Sequence, residues 1–396
     1  MVWPVRIILQ KKTVPKLKLK WWAKCLSSLF LVFGVVFLIL KAFNLSGNKE
    51  FLTLFFSFLS VLFLLFIICF FVRVYFYGIT LSNHEAYGIE SDTLIRKWTA
   101  WASENIYVID YCFFTPHKLN LFDVVNENPT AIYKDQALKF TEKIGVEYTE
   151  EQFFRELLSS VRMTIKTLAS KSEFEVILVQ ENNSMSYPVF KQSWAATGLP
   201  EDKLTSYQFV RGEFSTILNK CIDNQEKNKV FIVISVNIPT VVNSREPFSE
   251  FSSIIIISNN SSFESESHRC IAFRPTFCGE DEMAEEILKI GTYQPAIFEI
   301  TKVWCSGMDS EKISMVTREL KKIPHPSSKD WLFSIRDLNM TFGSLGHDHS
   351  WLSFAFSLYA SEVTSTGQLM VSNDDEGYIF NVIHPYKKGE LKEAKA

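Results

Sequence analysis

Two stretches of this chain carry no charged residue: CLSSLFLVFGVVFLIL at residues 25–40 and FLTLFFSFLSVLFLLFIICFFV at residues 51–72. A helix needs about 20 apolar residues to cross the hydrocarbon of a bilayer, and the second stretch has 22. The first reaches that length if Trp21 and Trp22 sit at the interface, where amphipathic rings are favoured. Runs this uniformly apolar leave no polar face for water, which argues against two helices of a soluble core. A cleaved leader is not expected, because a long arm precedes the first run and no small-residue cleavage site follows it. The expectation is a transmembrane helical hairpin over residues 25–73, preceded by a basic arm over residues 1–24 and followed by a soluble body over residues 78–396.

Charge orients the hairpin. Arg6, Lys11, Lys12, Lys16, Lys18, Lys20 and Lys24 precede the first run, and no Asp or Glu occurs before Glu50. The loop between the runs has only Lys41 and Lys49, and Arg73 follows the second run. Positive charge stays on the cytoplasmic side, so the N-terminus and the large body are both expected in the cytoplasm, at a bacterial inner membrane. Residues 78–396 hold 31 Lys and Arg against 43 Asp and Glu, a net charge of −12. Such a body is not a nucleic-acid binder, since phosphate affinity comes mainly from Lys and Arg. The seven cysteines are odd in number and irregular in spacing, which fits reduced thiols and not a disulfide framework.

The body alternates strand and helix patterns, which indicates an α/β fold. Strands are expected at residues 105–114, 174–181, 229–236, 253–258, 270–275 and 296–304, with a final pair GQLMVS and GYIFNVIHP. Helices are expected at residues 150–171, in FSTILNKCIDN, in EDEMAEEILKIG up to Gly291, at residues 309–322 with Asp309 as cap, and at residues 351–361. The near-continuous apolar strands FEVILVQE and KVFIVISV are typical of parallel sheets covered on both faces. The Ser- and Asn-rich residues 239–267 are expected to be partly irregular. Two halves, about 78–245 and 290–385, follow from this layout.

Few constellations carry chemistry. The chain has no G-x-S-x-G elbow, no Walker loop and no G-x-G-x-x-G. His268, Cys270 and Cys278 are spaced as H-x-C-x7-C, which matches no standard zinc finger or ribbon; no metal and no cofactor are expected. The pair Asp374-Asp375 is placed in a turn. The remaining candidate is GSLGHDHSWLSFAF, where Gly343 and Gly346 would shape a backbone turn. Asp348 or Ser350 would cap the helix that follows, a helix apolar nearly all round and therefore buried centrally.

The order of strand, helix, Gly-His, buried helix and strand pair in residues 296–385 resembles the C-terminal half of thiolase-like and ketoacyl-synthase folds. GSLGH followed by SWLSFAFSLYAS is similar to the Gly-His turn that leads into a buried helix there. In active members that histidine works with a nucleophilic cysteine and a second histidine or cysteine, so the resemblance would make His347 catalytic. This chain has Asp348, His349 and Trp351 where small residues usually follow. No cysteine is expected at a strand-to-helix turn, and EGYIFNVIHP lacks the glycine-rich loop. The whole layout also resembles the type VI secretion lipase-adapter family, through WTAWASENIYVID after the membrane segment, the unit ending in FEVILVQE, and GSLGH with its helix. That resemblance implies a non-catalytic adapter or chaperone that binds a lipase-like effector and delivers it to the secretion spike protein. The alternative is a membrane-associated acyl-thioester enzyme on a thiolase-like scaffold.

Overall fold

A computed structural model describes residues 3–8, 13–42, 49–116, 120–140, 149–179, 187–210, 214–226, 228–237, 248–260, 269–326, 331–346, 348–374 and 377–386. The chain forms two units, one of residues 8–97 and one joining residues 1–7 to residues 98–396.

The first unit holds helices α1 (Leu19–Ala42) and most of α2 (Lys49–Ala102). Both are long and apolar enough to cross a membrane. They lie antiparallel and meet through aromatic rings: Trp22 is 5.4 Å from Phe70, Phe30 is 6.0 Å from Phe63, and Phe33 is 5.9 Å from Phe55. The outer faces stay uncovered, with Leu31 68% and Leu54 70% exposed. Ser27 and Ser60 donate to the carbonyls of Ala23 and Phe56, so these hydroxyls are satisfied within their own helices. The helix α2 does not stop after the apolar run. Residues 78–97, expected to open the body, continue it; Gly78 and Gly88 are accommodated, and no proline occurs between Arg73 and Ala102 to break the helix.

Among the described residues, the second unit is an α/β body with one mixed sheet. Its elements are β1 (Asn105–Phe114), α3 (Leu121–Val125), α4 (Glu150–Ser160), α5 (Arg162–Leu168), β2 (Glu173–Val179), α6 (Tyr187–Ala196), β3 (Leu204–Val210), α7 (Phe214–Asp223), β4 (Lys229–Asn237), β5 (Phe251–Ser258), β6 (Cys270–Phe273), β7 (Thr276–Cys278), α8 (Met283–Tyr293), β8 (Ile300–Ser306), α9 (Ser310–Leu320), β9 (Ser334–Asp337), α10 (Leu338–Phe342), α11 (His349–Thr364), β10 (Gly367–Asp374) and β11 (Gly377–Pro385). The strand order is β3-β2-β4-β5-β1-β6-β11-β10-β8-β9, with β7 paired to β11.

That order is a duplication. In the first half, β2 runs parallel to β3 and β4, and β5 returns antiparallel between β4 and β1. In the second half, β8 runs parallel to β9 and β10, and β11 returns antiparallel between β10 and β6. Each half therefore has the same topology, and the two join where β1 pairs antiparallel with β6. This is the thiolase-like arrangement that the residue pattern anticipated.

The layers follow from which face each side chain takes. Along β5, Ile254 and Ile256 pack with α4–α6 residues such as Leu157, Ile165 and Trp194. The alternate Ile255 and Ile257 pack with Leu218 of α7 and Phe354 of α11. A strand buried on both faces has no place for polar alternation, which is why SIIIIS is continuous. The helix α11 touches strands of both halves. Being covered on every side, it is apolar all round.

Several expected boundaries move. The helix expected over residues 150–171 is two, because Val161 leaves helical geometry (φ −108°, ψ 10°). Thr149 opens α4 with a reciprocal capping box to Gln152. Gly291 does not end α8; it lets the helix approach Ile323, whose Cγ2 would lie 2.3 Å from an added Cβ. Residues 295–299 form a 3-10 turn begun by Pro295, so β8 starts only at Ile300. Asp309 does cap α9, accepting from the Lys312 N–H at 2.8 Å. Part of the Ser- and Asn-rich segment, residues 239–247 and 261–267, lies outside the described residues, and the strand inside it is β5.

An ion cluster fastens α3 to the edge of the second half. Glu127 pairs with Lys302 at 3.2 Å and with Arg336, and it accepts from Ser334 at 2.8 Å. The Ser334 hydrogen bond, together with those from Arg336 and Lys302 and against partial burial, holds the Glu127 carboxyl at about 2. A lowered folded-state value means that the stabilisation is complete above the ordinary value of 4.5 and is lost as pH falls towards about 2. The stability difference between the wild type and Glu127→Gln should therefore shrink between those limits in urea titrations. A difference unchanged across that window would remove the cluster from the acid response.

Candidate functional site

The second half places the ends of β8 and β10 beside the start of α11. Ser306 and Ser372 are partners in the parallel register, and their hydroxyls are 3.1 Å apart. Ser350, in the first turn of α11, joins them at 2.8 Å from Ser372 Oγ. Asn339 accepts from the Gly307 N–H at 3.2 Å and donates to the Met308 carbonyl at 3.0 Å. Asn373 donates to the Gly307 carbonyl at 3.2 Å. Gly307 has φ +66°, and an added Cβ would lie 2.5 Å from His349 Nε2. Short polar groups thus lock the C-terminal ends of parallel strands to a helix N-terminus, the place where open α/β sheets usually put a site.

The expected turn residues have distinct roles. Gly343 has φ +77°, where glycine is favoured. Gly346 has no positive φ; it is held by a close approach, since an added Cβ would meet Phe248 Cγ at 2.6 Å. Asp348 occupies the N-cap position but in the left-handed region at φ +61°, and its side chain makes no capping hydrogen bond. Ser350 lies inside the helix and is not a cap. The turn closes through His349, whose Nδ1 is 2.8 Å from the Gly346 carbonyl oxygen. His347 lies outside the described residues. Reasoning from the sequence missed Ser306, Ser372, Asn339 and Asn373. The available signal was that KVWCS and QLMVS both end in serine.

In the first half, the equivalent place is the start of α7. Its first residue, Phe214, packs its ring 4.7 Å from Trp351 and 5.2 Å from Phe354 in the first turns of α11. All three side chains are at most 1% exposed. The starts of the two central helices therefore meet through aromatic rings.

A thiolase-type reaction needs a thiolate at such a helix start, activated by a base or a lowered pKa. The five body cysteines are Cys112, Cys221, Cys270, Cys278 and Cys305, and all are described. Cys112 lies on β1, Cys221 in the last turn of α7, Cys270 on β6, Cys278 on β7 and Cys305 on β8. Burial pushes Cys270 and Cys278 up to about 12 and raises Cys112, Cys221 and Cys305 as well. The residues outside those described include no cysteine. Among the described residues, no group of three or more His, Cys, Asp or Glu is placed to hold a metal ion. Asp374 accepts from the Gly377 N–H at 3.2 Å and so shapes the β10–β11 turn, while Asp375 lies outside the described residues.

No protein-family model matches the chain, and no curated protein matches its sequence. Solved structures do match. One is the oxazolomycin ketosynthase domain of Streptomyces albus, at 7% identity and a TM-score of 0.49 over 72% of this chain and 96% of that one. Another is the peroxisomal 3-ketoacyl-CoA thiolase of Saccharomyces cerevisiae, described as two core domains of identical topology, at 9% identity and a TM-score of 0.46 over 72% and 98%. A third is the human mitochondrial 3-ketoacyl-CoA thiolase in complex with CoA, at 7% identity and 0.46 over 72% and 99%. At these identities the likeness concerns fold and not activity, and the fold assignment rests on the duplicated strand order of the chain itself.

Proposed function

We propose that the chain is a membrane-anchored protein whose thiolase-like body is a binding scaffold without thiolase chemistry. The carrying observation is the thiol inventory: no body cysteine stands at a strand-to-helix turn, and burial moves all five away from the thiolate form. The rings of Phe214, Trp351 and Phe354 at the meeting of the central helices support the same reading. In its most specific form the scaffold is an adapter that holds a lipase-like effector for a type VI secretion spike. That form stands on the residue resemblance alone, and the structural matches give it no support.

A second reading keeps acyl-thioester chemistry on the thiolase-like scaffold. It requires one body cysteine to react with help from His347. The deciding experiment treats the folded full chain with a chloroacetyl thioester probe near pH 7.5 and maps adducts by mass spectrometry. The scaffold reading expects labelling of body cysteines only after denaturation. A rapid adduct on one body cysteine, lost in a folded His347→Ala variant, would establish the enzyme.

The anchor is part of the proposal. Large apolar side chains stand exposed along both α1 and α2, among them Leu31, Leu38, Leu54 and Phe71, and extended exposed apolar surface of this kind marks a membrane or partner contact. Trp21 and Trp22 at the start of α1, and Tyr75, Phe76 and Tyr77 just past the second apolar run, are placed as interfacial aromatics. The lysine bias before α1 puts that end in the cytoplasm of a bacterial inner membrane.

A further inference from the structure

We propose that the arm ahead of the first span is a binding surface for the headgroups of anionic phospholipids; this rests on the reading that the hairpin crosses a membrane. Lys16, Lys18, Lys20 and Lys24 are exposed. None of them makes an ion pair among the described residues. Residues 13–18 carry no helix or strand; there Lys16 and Lys18 flank the half-buried Leu17. Lys20 and Lys24 are four residues apart on α1 and share one face of it.

This placement is electrostatically unfavourable within the protein. Like charges four residues apart on a helix repel. The N-terminal end of a helix carries partial positive charge from its free N–H groups, and the first turn of α1 has no acidic residue to offset it. No Asp or Glu occurs before Glu50. With no ion pair to these lysines among the described residues, their charge is available to anions from outside the chain.

Position selects their source. Trp21 and Trp22 lie within the lysine cluster, and such rings settle at headgroup depth. The four cations are then held within a few residues of the phosphate level, where basic juxtamembrane segments are attracted to anionic lipid. A soluble polyanion is repelled at long range by the chain's own net negative body, of charge −12. The same repulsion acts between the body and an anionic bilayer, so the arm supplies the attractive contact with that surface.

The test reconstitutes the full chain in phosphatidylcholine vesicles. A fixed fraction of the lipid is either brominated phosphatidylglycerol or brominated phosphatidylcholine, and quenching of Trp21 and Trp22 is measured. A Trp21→Phe/Trp22→Phe variant isolates their signal. At low salt the anionic lipid should be preferred, on the order of fivefold for each lysine that reaches a headgroup. The preference should fall towards one in high salt and in the Lys16→Gln/Lys18→Gln/Lys20→Gln/Lys24→Gln variant. Equal quenching by both lipids in the wild type at low salt would overturn the proposal while leaving the anchor intact. So would a preference that survives both high salt and the four substitutions. Quenching by neither lipid would overturn the membrane reading itself, and the proposal with it.

Discussion

Phe356→Asp is expected to abolish cooperative folding of the body. Phe356 is fully buried on α11, and its ring stands 4.9 Å from Trp304 and 5.4 Å from Phe342. Losing a buried aromatic side chain costs about 3–5 kcal/mol. Burying an unpaired carboxylate adds several kcal/mol or neutralises the group with a comparable pKa shift. Whole domains are stable by only about 5–15 kcal/mol, so the combined effect is of the same size as the total. Because α11 packs on strands of both halves, the damage cannot stay local. Near-UV circular dichroism and thermal unfolding of the full chain in detergent should show the tertiary signal and the sharp transition disappear, while Phe356→Leu keeps both. An unchanged transition in the Asp variant would contradict the placement of this helix at the centre.

The parts of this fold that were legible in the sequence are those whose environment is uniform. SIIIIS, FEVILV and the α11 segment are buried, so their apolar character is local information. The helix-period residues of α4 and α9 are similarly local. What escaped detection depends on residues far apart in the chain. The strands β3 and β9 are the two ends of the sheet, with one neighbour each. Their sequences, LTSYQFV and SIRD, show no strong apolar alternation, because half of each environment is solvent or side-chain cover. The duplication is invisible as sequence similarity; it exists in strand pairing, which any sufficiently apolar residues can satisfy. At the candidate site, Gly343 was legible as a turn glycine. Gly346 needed knowledge of Phe248, about a hundred residues away in the chain. Ser306 and Ser372 become partners only through register. Asp348 shows the limit of a motif: it stands at the expected cap position, but its backbone is left-handed and its side chain makes no capping hydrogen bond.

The N-terminal residues carry the other large expected effect. The sequence places residues 1–24 together as a basic arm, yet Trp3 and Val5 are core residues of the body, 3% and 1% exposed. Trp3 donates its indole N–H to the Pro275 carbonyl at 3.0 Å and stands edge-on to Trp101 at 5.6 Å. Trp101 is itself stacked under the Arg274 guanidinium at 4.4 Å. Arg274, 2% exposed, pairs with Asp223 at 2.6 Å and with Glu104, and the Tyr293 hydroxyl donates to the Arg6 carbonyl at 2.9 Å. The segment before the first span is therefore bound to the same unit that follows the second. On the proposed reading of the hairpin as a membrane anchor, a chain that docks its N-terminus into its own C-terminal body crosses the membrane an even number of times between them. This agrees with the lysine bias and is independent of it. Trp3→Ala should destabilise the body by about 3–5 kcal/mol, the usual loss for a buried tryptophan, and leave the Pro275 carbonyl without its donor. Thermal unfolding of the full chain measures the first effect, and protease cleavage of the released residues before α1 measures the second. In the wild type, reporter fusions at Asn48 and at the C-terminus should report opposite sides of the membrane. A Trp3→Ala protein with wild-type stability and an intact N-terminus would mean that the segment is not docked, and the argument for an even number of crossings would fall back on charge alone.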